Sequence, residues 1–130
     1  MRDLVSQLNV VNNVRYGDHN AATVAAVSCD LRGYNGAMVH IDVGTMTGAG
    51  TFTPVLQESV DGSIWTDVAA AEIIGTAPVA LTTDTDQQFG YNGAKRYIGI
   101  PVTKAATVSA ANFGITIVLG RASSEPTAVL

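Results

Sequence analysis

Seven consecutive residues, Ala37 to Val43, alternate in character. Ala37, Val39, Ile41 and Val43 fall on one side, and Met38, His40 and Asp42 on the other. A second run puts Phe113, Ile115, Ile117 and Leu119 on one side and stops at Gly120. Successive side chains of a strand point to opposite faces, so a period of two marks a half-buried β-strand. Alanine, valine, threonine and glycine supply 61 of the 130 residues. That bias favours short strands parted by turns, because β-branched side chains suit a pleated surface.

Other strands follow from the same reading. In Thr51 to Ser59, Phe52 and Leu56 share a side, and Thr53, Val55 and Gln57 the opposite one. Pro54 cannot donate to a ladder, so this strand is an edge there or begins near Val55. Val60-Asp61-Gly62-Ser63 has the composition of a turn, since Gly62 accepts positive φ and Asp61 bonds nearby backbone. Ile64 to Val68 then returns antiparallel, with Trp65 expected to anchor the hairpin in the core. Val24 to Leu31, Val79 to Thr82, Gln87 to Tyr91 and Arg96 to Thr103 complete the set. Ile98, Ile100 and Val102 share a side of the last of these, and Pro101 implies an edge or bulge. Ala69 to Glu72 suits a single helical turn, and the glycine-rich 44–50 a flexible connection. The expectation is an all-β protein, an antiparallel β-sandwich or jelly roll of about eight strands.

The two ends read differently. Leu4, Leu8 and Val11 have the i, i+4, i+7 spacing of a short helix. Asn12, Asn13 and the β-branched residues are weak helix formers and favour an extended arm. The expected division is an N-terminal arm over 1–20, a sandwich over 21–121 and a loose C-terminal tail over 122–130.

Charge narrows the function. Charged residues make up 14% of the chain, against about 25% in an average soluble domain. The net charge is -4 and the pI about 4.8, so no positive field awaits phosphates, and nucleic acid is not an expected partner. Cys29 is the only cysteine and reads as a small buried hydrophobe on a strand. Met1-Arg2-Asp3-Leu4 lacks the pattern of a secretory signal. The longest apolar runs, Val68 to Ala71 and Ile115 to Leu119, fall far short of the roughly 20 residues of a membrane helix. Synthesis in a reducing cytoplasm, with no membrane partner, is expected.

A search for chemistry returns little. His19 sits in a loop-like stretch and His40 on a polar strand face, with no G-x-S-x-G elbow near either. His40 and Asp42 share a face, which is weak support for zinc. Asp84 and Asp86 lack the glycine and distal glutamate of a calcium loop. Residues 44–50 lack the Gly-Lys-Ser/Thr of a phosphate loop. Lys95-Arg96, between Tyr91 and Tyr97, suits a salt bridge or an acidic partner patch. No catalytic residues, metal or cofactor are expected, and the chain is not expected to be an enzyme.

Two resemblances sharpen this. Leu56 to Val68 (LQESVDGSIWTDV), with Asp61, Gly62 and Trp65, is similar to a hairpin of discoidin-like, galactose-binding-like sandwiches. More widely, the chain resembles small structural proteins of tailed-bacteriophage head modules. The residues that carry this are Met1-Arg2-Asp3-Leu4, Asp30 to Tyr34, Met38 to Val43, the LQES-DG hairpin and Gly93 to Ile98. The resemblance implies a capsid decoration (cement) protein of jelly-roll type. Such proteins sit as homotrimers on the virion surface and clamp neighbouring major capsid subunits. Terminal arms that order on binding would widen each contact, which makes Arg2, Leu4, Leu8, Val11, Arg15 and Tyr16 candidates for the partner. The alternatives are a carbohydrate- or receptor-binding module using Trp65, or a head–tail connector or tail subunit.

Overall fold

The structure, a computed structural model, describes residues 8–19, 23–24, 28–48, 51–105 and 108–122. These residues form strands β1 (Asn9–His19), β2 (Thr23–Val24), β3 (Cys29–Asp30), β4 (Tyr34–Gly48), β5 (Thr51–Pro54) and β6 (Gln57–Ser59). Next come β7 (Thr66–Asp67), a 3-10 turn at Ala70–Glu72, β8 (Ile73–Gly75), β9 (Asp86–Tyr91), β10 (Tyr97–Gly99), β11 (Val102–Ala105) and β12 (Val108–Ala122). The chain is an antiparallel all-β sandwich, as its alternation requires.

The first layer is a five-stranded sheet in the order β1-β12-β4-β9-β8. Its centre is the long pair β4 and β12, in register from Ala37 opposite Leu119 to Ile41 opposite Ile115. The faces read from the sequence are the faces observed: Val39, Ile41, Val43, Phe113, Ile115, Ile117 and Leu119 are all buried. Each such side chain contributes roughly 1.5–3 kcal/mol relative to exposure.

The opposite layer is formed by two short sheets, β3-β10-β6-β7 and β2-β11-β5. β3 and β2, β10 and β11, and β6 and β5 hold corresponding places in the two, so they form one layer interrupted midway. The interruption has a chemical cause. Pro54 and Pro101 carry no N–H, and the ladder fails where the two come together. The Val55 N–H reaches the Pro101 carbonyl at 3.1 Å. The Ile100 N–H leaves the layer and donates to Asn13 Oδ1, 3.1 Å away on β1. Pro54 thus ends β5, which lies at an edge as expected. Phe52, Leu56, Ile98, Ile100 and Val102 point inward and are buried. The Phe52 and Phe113 rings meet across the layers, 5.6 Å between centroids.

Several expectations are corrected. Among the described residues twelve strands replace about eight, partly because the expected runs Thr51 to Ser59 and Arg96 to Thr103 each divide at the break. Residues 9–19 of the expected arm are an edge strand of the first sheet, paired with β12 from Asn9 opposite Leu119 to His19 opposite Ala111. Residues 44–48, expected to be a flexible connection, continue β4. Val79 to Thr82 is not a strand: the Gln87 amide brackets Val79, accepting from its N–H at 3.0 Å and donating to its carbonyl at 2.9 Å. A side chain there does the work of a strand partner. The expected strand Ile64 to Val68 shrinks to β7, and Ala69 to Glu72 does hold a single 3-10 turn. The tail beyond Ala122 and residues 1–7 lie outside the described residues.

Candidate functional site

The hairpin is built around one carboxylate. Asp61 Oδ1 accepts the N–H groups of Ser63 at 2.9 Å and Ile64 at 3.1 Å, and the Ser59 hydroxyl at 3.0 Å. Ser59 Oγ in turn accepts the Gly62 N–H at 2.8 Å. Gly62 has φ +80, a conformation glycine adopts without a Cβ penalty. These donors hold the Asp61 carboxyl below the usual range, the Ser63 amide foremost. The same capping lengthens the turn, and Trp65 is left half-buried, outside the apolar core. Its expected place as core anchor is taken by Val68, whose N–H donates to the Leu56 carbonyl at 3.0 Å.

The arm candidates are scattered by the pairing of β1. Arg2 and Leu4 lie outside the described residues. Leu8 is half-buried, with Cδ2 beside Gly120. Val11 packs against the core. Arg15 is exposed, and its carbonyl accepts His19 Nε2 at 3.0 Å. Tyr16 lies across β12 at Gly114, with its hydroxyl at Gly44 of β4.

The titratable candidates are tied into the fold. Cys29 is buried, and burial pushes its thiol up to about 11. His40 Nε2 lies 3.3 Å from Asp86 Oδ2, next to the facing pair Asp42 and Asp86. Arg96 makes a forked contact with Asp30, at 2.9 and 3.1 Å, which holds the Asp30 carboxyl low. Its guanidinium also lies over the Tyr97 ring. Among the described residues, no three His, Cys, Asp or Glu side chains gather as a metal site.

Two surface features escaped the sequence reading. The first is an apolar row across the outer face of the five-stranded sheet. Val10 faces Val118, Val118 faces Met38, Met38 faces Gly90, and Gly90 faces Ile74. Val10 is 56% exposed, Met38 37% and Ile74 59%. Four strand spacings make the row roughly 19 Å long. The next row, Asn12, Thr116, His40 and Gln88, is polar. The second feature is a cavity of about 540 Å³ between residues 31–37 and 91–96. At its side Tyr91, 5% exposed, donates its hydroxyl to Glu58 at 2.6 Å. Both features combine residues from distant strands, so only the pairing register reveals them.

No family model matches the chain, and no curated protein does either. One solved structure aligns with it. Over 92% of its length the chain is similar to a chain in the structure of infectious bursal disease virus, Gx strain, with TM-score 0.54 and 13% identity. The likeness is one of fold. The match covers 34% of that chain, so this protein spans about a third of the length of its viral neighbour.

Proposed function

We propose that this protein is a structural component of a virus particle. In this reading it is a β-sandwich subunit that decorates a bacteriophage capsid, binding the outer surface between major capsid subunits as a homotrimer. The observation that carries the reading is the apolar row from Val10 to Ile74, set on a fold similar to that of a chain in a virus structure. Water-exposed strand faces are ordinarily polar, and contiguous exposed apolar surface marks an interaction site. Interface cores are also poor in Lys, Glu and Asp, which suits a chain with only 14% charged residues. Cementing does no chemistry; many modest contacts on one shell add up through effective concentration.

Light scattering on the purified chain and co-sedimentation with empty phage capsids test this. A trimer that pellets with capsids is expected, and Met38→Glu with Ile74→Glu should weaken pelleting at least tenfold while the fold is kept. A monomer at high concentration that stays in the supernatant overturns the proposal.

A further inference from the structure

Strand β9 ends too early for its neighbour. Its last paired residue is Tyr91, opposite Ala37 of β4. Strand β4 continues back through Gly36, Asn35 and Tyr34. These residues have β12 on one side, with Gly36 opposite Gly120 and Tyr34 opposite Ala122. On the other side no strand of the described residues pairs with them, and the cavity lies there, lined by all three. The chain after Tyr91 turns off, the Asn92 N–H going to the Glu72 carbonyl at 2.7 Å. Gly93 fits only because it lacks a Cβ, since the Tyr91 phenol fills that position. The Val43 N–H bonds the Thr85 carbonyl beyond the end of β9, so alternate residues of β4, back to Ala37, face β9. Gly36 and Tyr34 face β12, and the Tyr34 N–H is taken by the Leu31 carbonyl at 3.0 Å. The result is an open groove into which the main chain of Asn35 faces with no strand partner among the described residues.

The groove also departs from the charge of the chain. Three of the seven basic residues, Arg32, Lys95 and Arg96, line it, although the net charge is -4. Arg96 is paired with Asp30. Among the described residues, the side chains of Arg32 and Lys95 have no acidic partner within ion-pair distance. Main-chain groups on a sheet edge bind extended peptides by strand addition, and complementary charge sets orientation and partner choice. A polyanion would be repelled by the rest of the surface, whereas a short segment with one or two carboxylates meets Arg32 and Lys95, with the Asp30 carboxylate beside them held by Arg96 and the Arg32 N–H.

We propose that this groove binds an extended acidic segment of a partner polypeptide, paired with the main chain of Asn35 and with its carboxylates against Arg32 and Lys95. The competing role for basic residues at a free edge is to prevent edge-to-edge pairing. The two roles predict opposite behaviour on charge removal. The inference stands apart from the virion reading, because it concerns the chemistry of the groove whatever carries the segment.

The test is a titration of the full chain followed by amide chemical shifts. The probes are an end-blocked heptapeptide of alternating threonine and glutamate, the same peptide with glutamine, one with lysine, and inorganic phosphate. The glutamate peptide should shift the amides of Tyr34, Asn35 and Gly36 and slow hydrogen exchange at Asn35. The glutamine peptide, and the Arg32→Gln/Lys95→Gln variant with the glutamate peptide, should bind at least tenfold more weakly. The charge-reversed variant Arg32→Glu/Lys95→Glu should prefer the lysine peptide, which separates loss of binding from loss of fold. Equal affinity for the glutamate and glutamine peptides overturns the proposal. So does a phosphate response equal to the peptide response. Self-association of the Gln variant with no change in peptide affinity assigns the two cations to edge protection instead.

Discussion

Asn13 Oδ1 accepts the Ile100 N–H at 3.1 Å, and this bond joins the two layers where the second is broken. Asn13 sits in the irregularity of β1 between Asn12 and Val14. That irregularity turns a polar side chain into the interior, where Asn13 is 1% exposed. Without it the Ile100 amide, beside Pro101, would be buried with no acceptor. Asn13→Ala should therefore destabilise the protein by about 1–3 kcal/mol, the usual consequence of an unsatisfied buried donor. Urea unfolding followed by tryptophan fluorescence measures this, and an unchanged midpoint would show that Ile100 finds another partner.

The buried Tyr91 and Glu58 pair makes the second prediction. Burial, reinforced by the hydrogen bond to Glu58, raises the phenol's pKa. The unfolded value is about 10, so the neutral phenol's contribution is complete below about pH 10. It is lost as pH rises through the higher folded pKa. In a Cys29→Ala background, stability should fall more steeply above about pH 10 than in the matching Tyr91→Phe variant. Near pH 7, Tyr91→Phe should itself cost about 1–3 kcal/mol, because a buried carboxyl oxygen loses its donor.

Strand faces were legible in the sequence where the period of two runs unbroken, as from Ala37 to Val43 and from Phe113 to Leu119. Strand β1 was not, and its register explains why. Irregularities fall between Asn12 and Val14 and between Val14 and Gly17, so the inward residues Val11 and Val14 are three apart. That step breaks the period of two that marks a strand, while Asn12, Asn13 and the β-branched residues suited an extended arm. Pro54 and Pro101 each signalled an edge or break, but nothing local placed the two breaks side by side. Trp65 shows the converse error. Its size pointed to the core, while the capped turn around Asp61 holds it half out. The apolar row and the groove depend on which strands are neighbours, and one strand's sequence does not contain that.

Two glycines under Tyr16 should respond differently to alanine. At Gly114 a Cβ would lie 2.8 Å from the Tyr16 backbone N and Cα and from its Cβ. Backbone cannot swing aside, so Gly114→Ala should cost about 1–3 kcal/mol, as overpacking does. Tyr16→Ala should not rescue it, because the same three atoms remain. At Gly44 the atom in the way is the Tyr16 hydroxyl, the far end of a rotatable and exposed side chain. Gly44→Ala should change stability by under about 1 kcal/mol, and pairing it with Tyr16→Ala should remove any loss. Thermal unfolding of the four variants decides this; equal losses at the two glycines would contradict the geometry.

Cys29 supplies the last prediction. Its thiol is 1% exposed on β3, and burial foremost, with the nearby Asp30 charge, raises its pKa from 9.0 to about 11. The thiolate is the reactive form, so two pK units leave about a hundredfold less of it at pH 8 than an open thiol carries. The folded chain should resist a disulfide-exchange reagent at pH 8, and the urea-unfolded chain should react at once. Because the folded pKa lies above the unfolded one, this thiol stabilises the fold fully below about pH 9, and that contribution fades as pH rises towards 11. If the native thiol reacts as fast as the unfolded one, β3 must detach from β10 on the timescale of the reaction. Hydrogen exchange at Cys29 would then be expected to run as fast as in the exposed turn at Gly33.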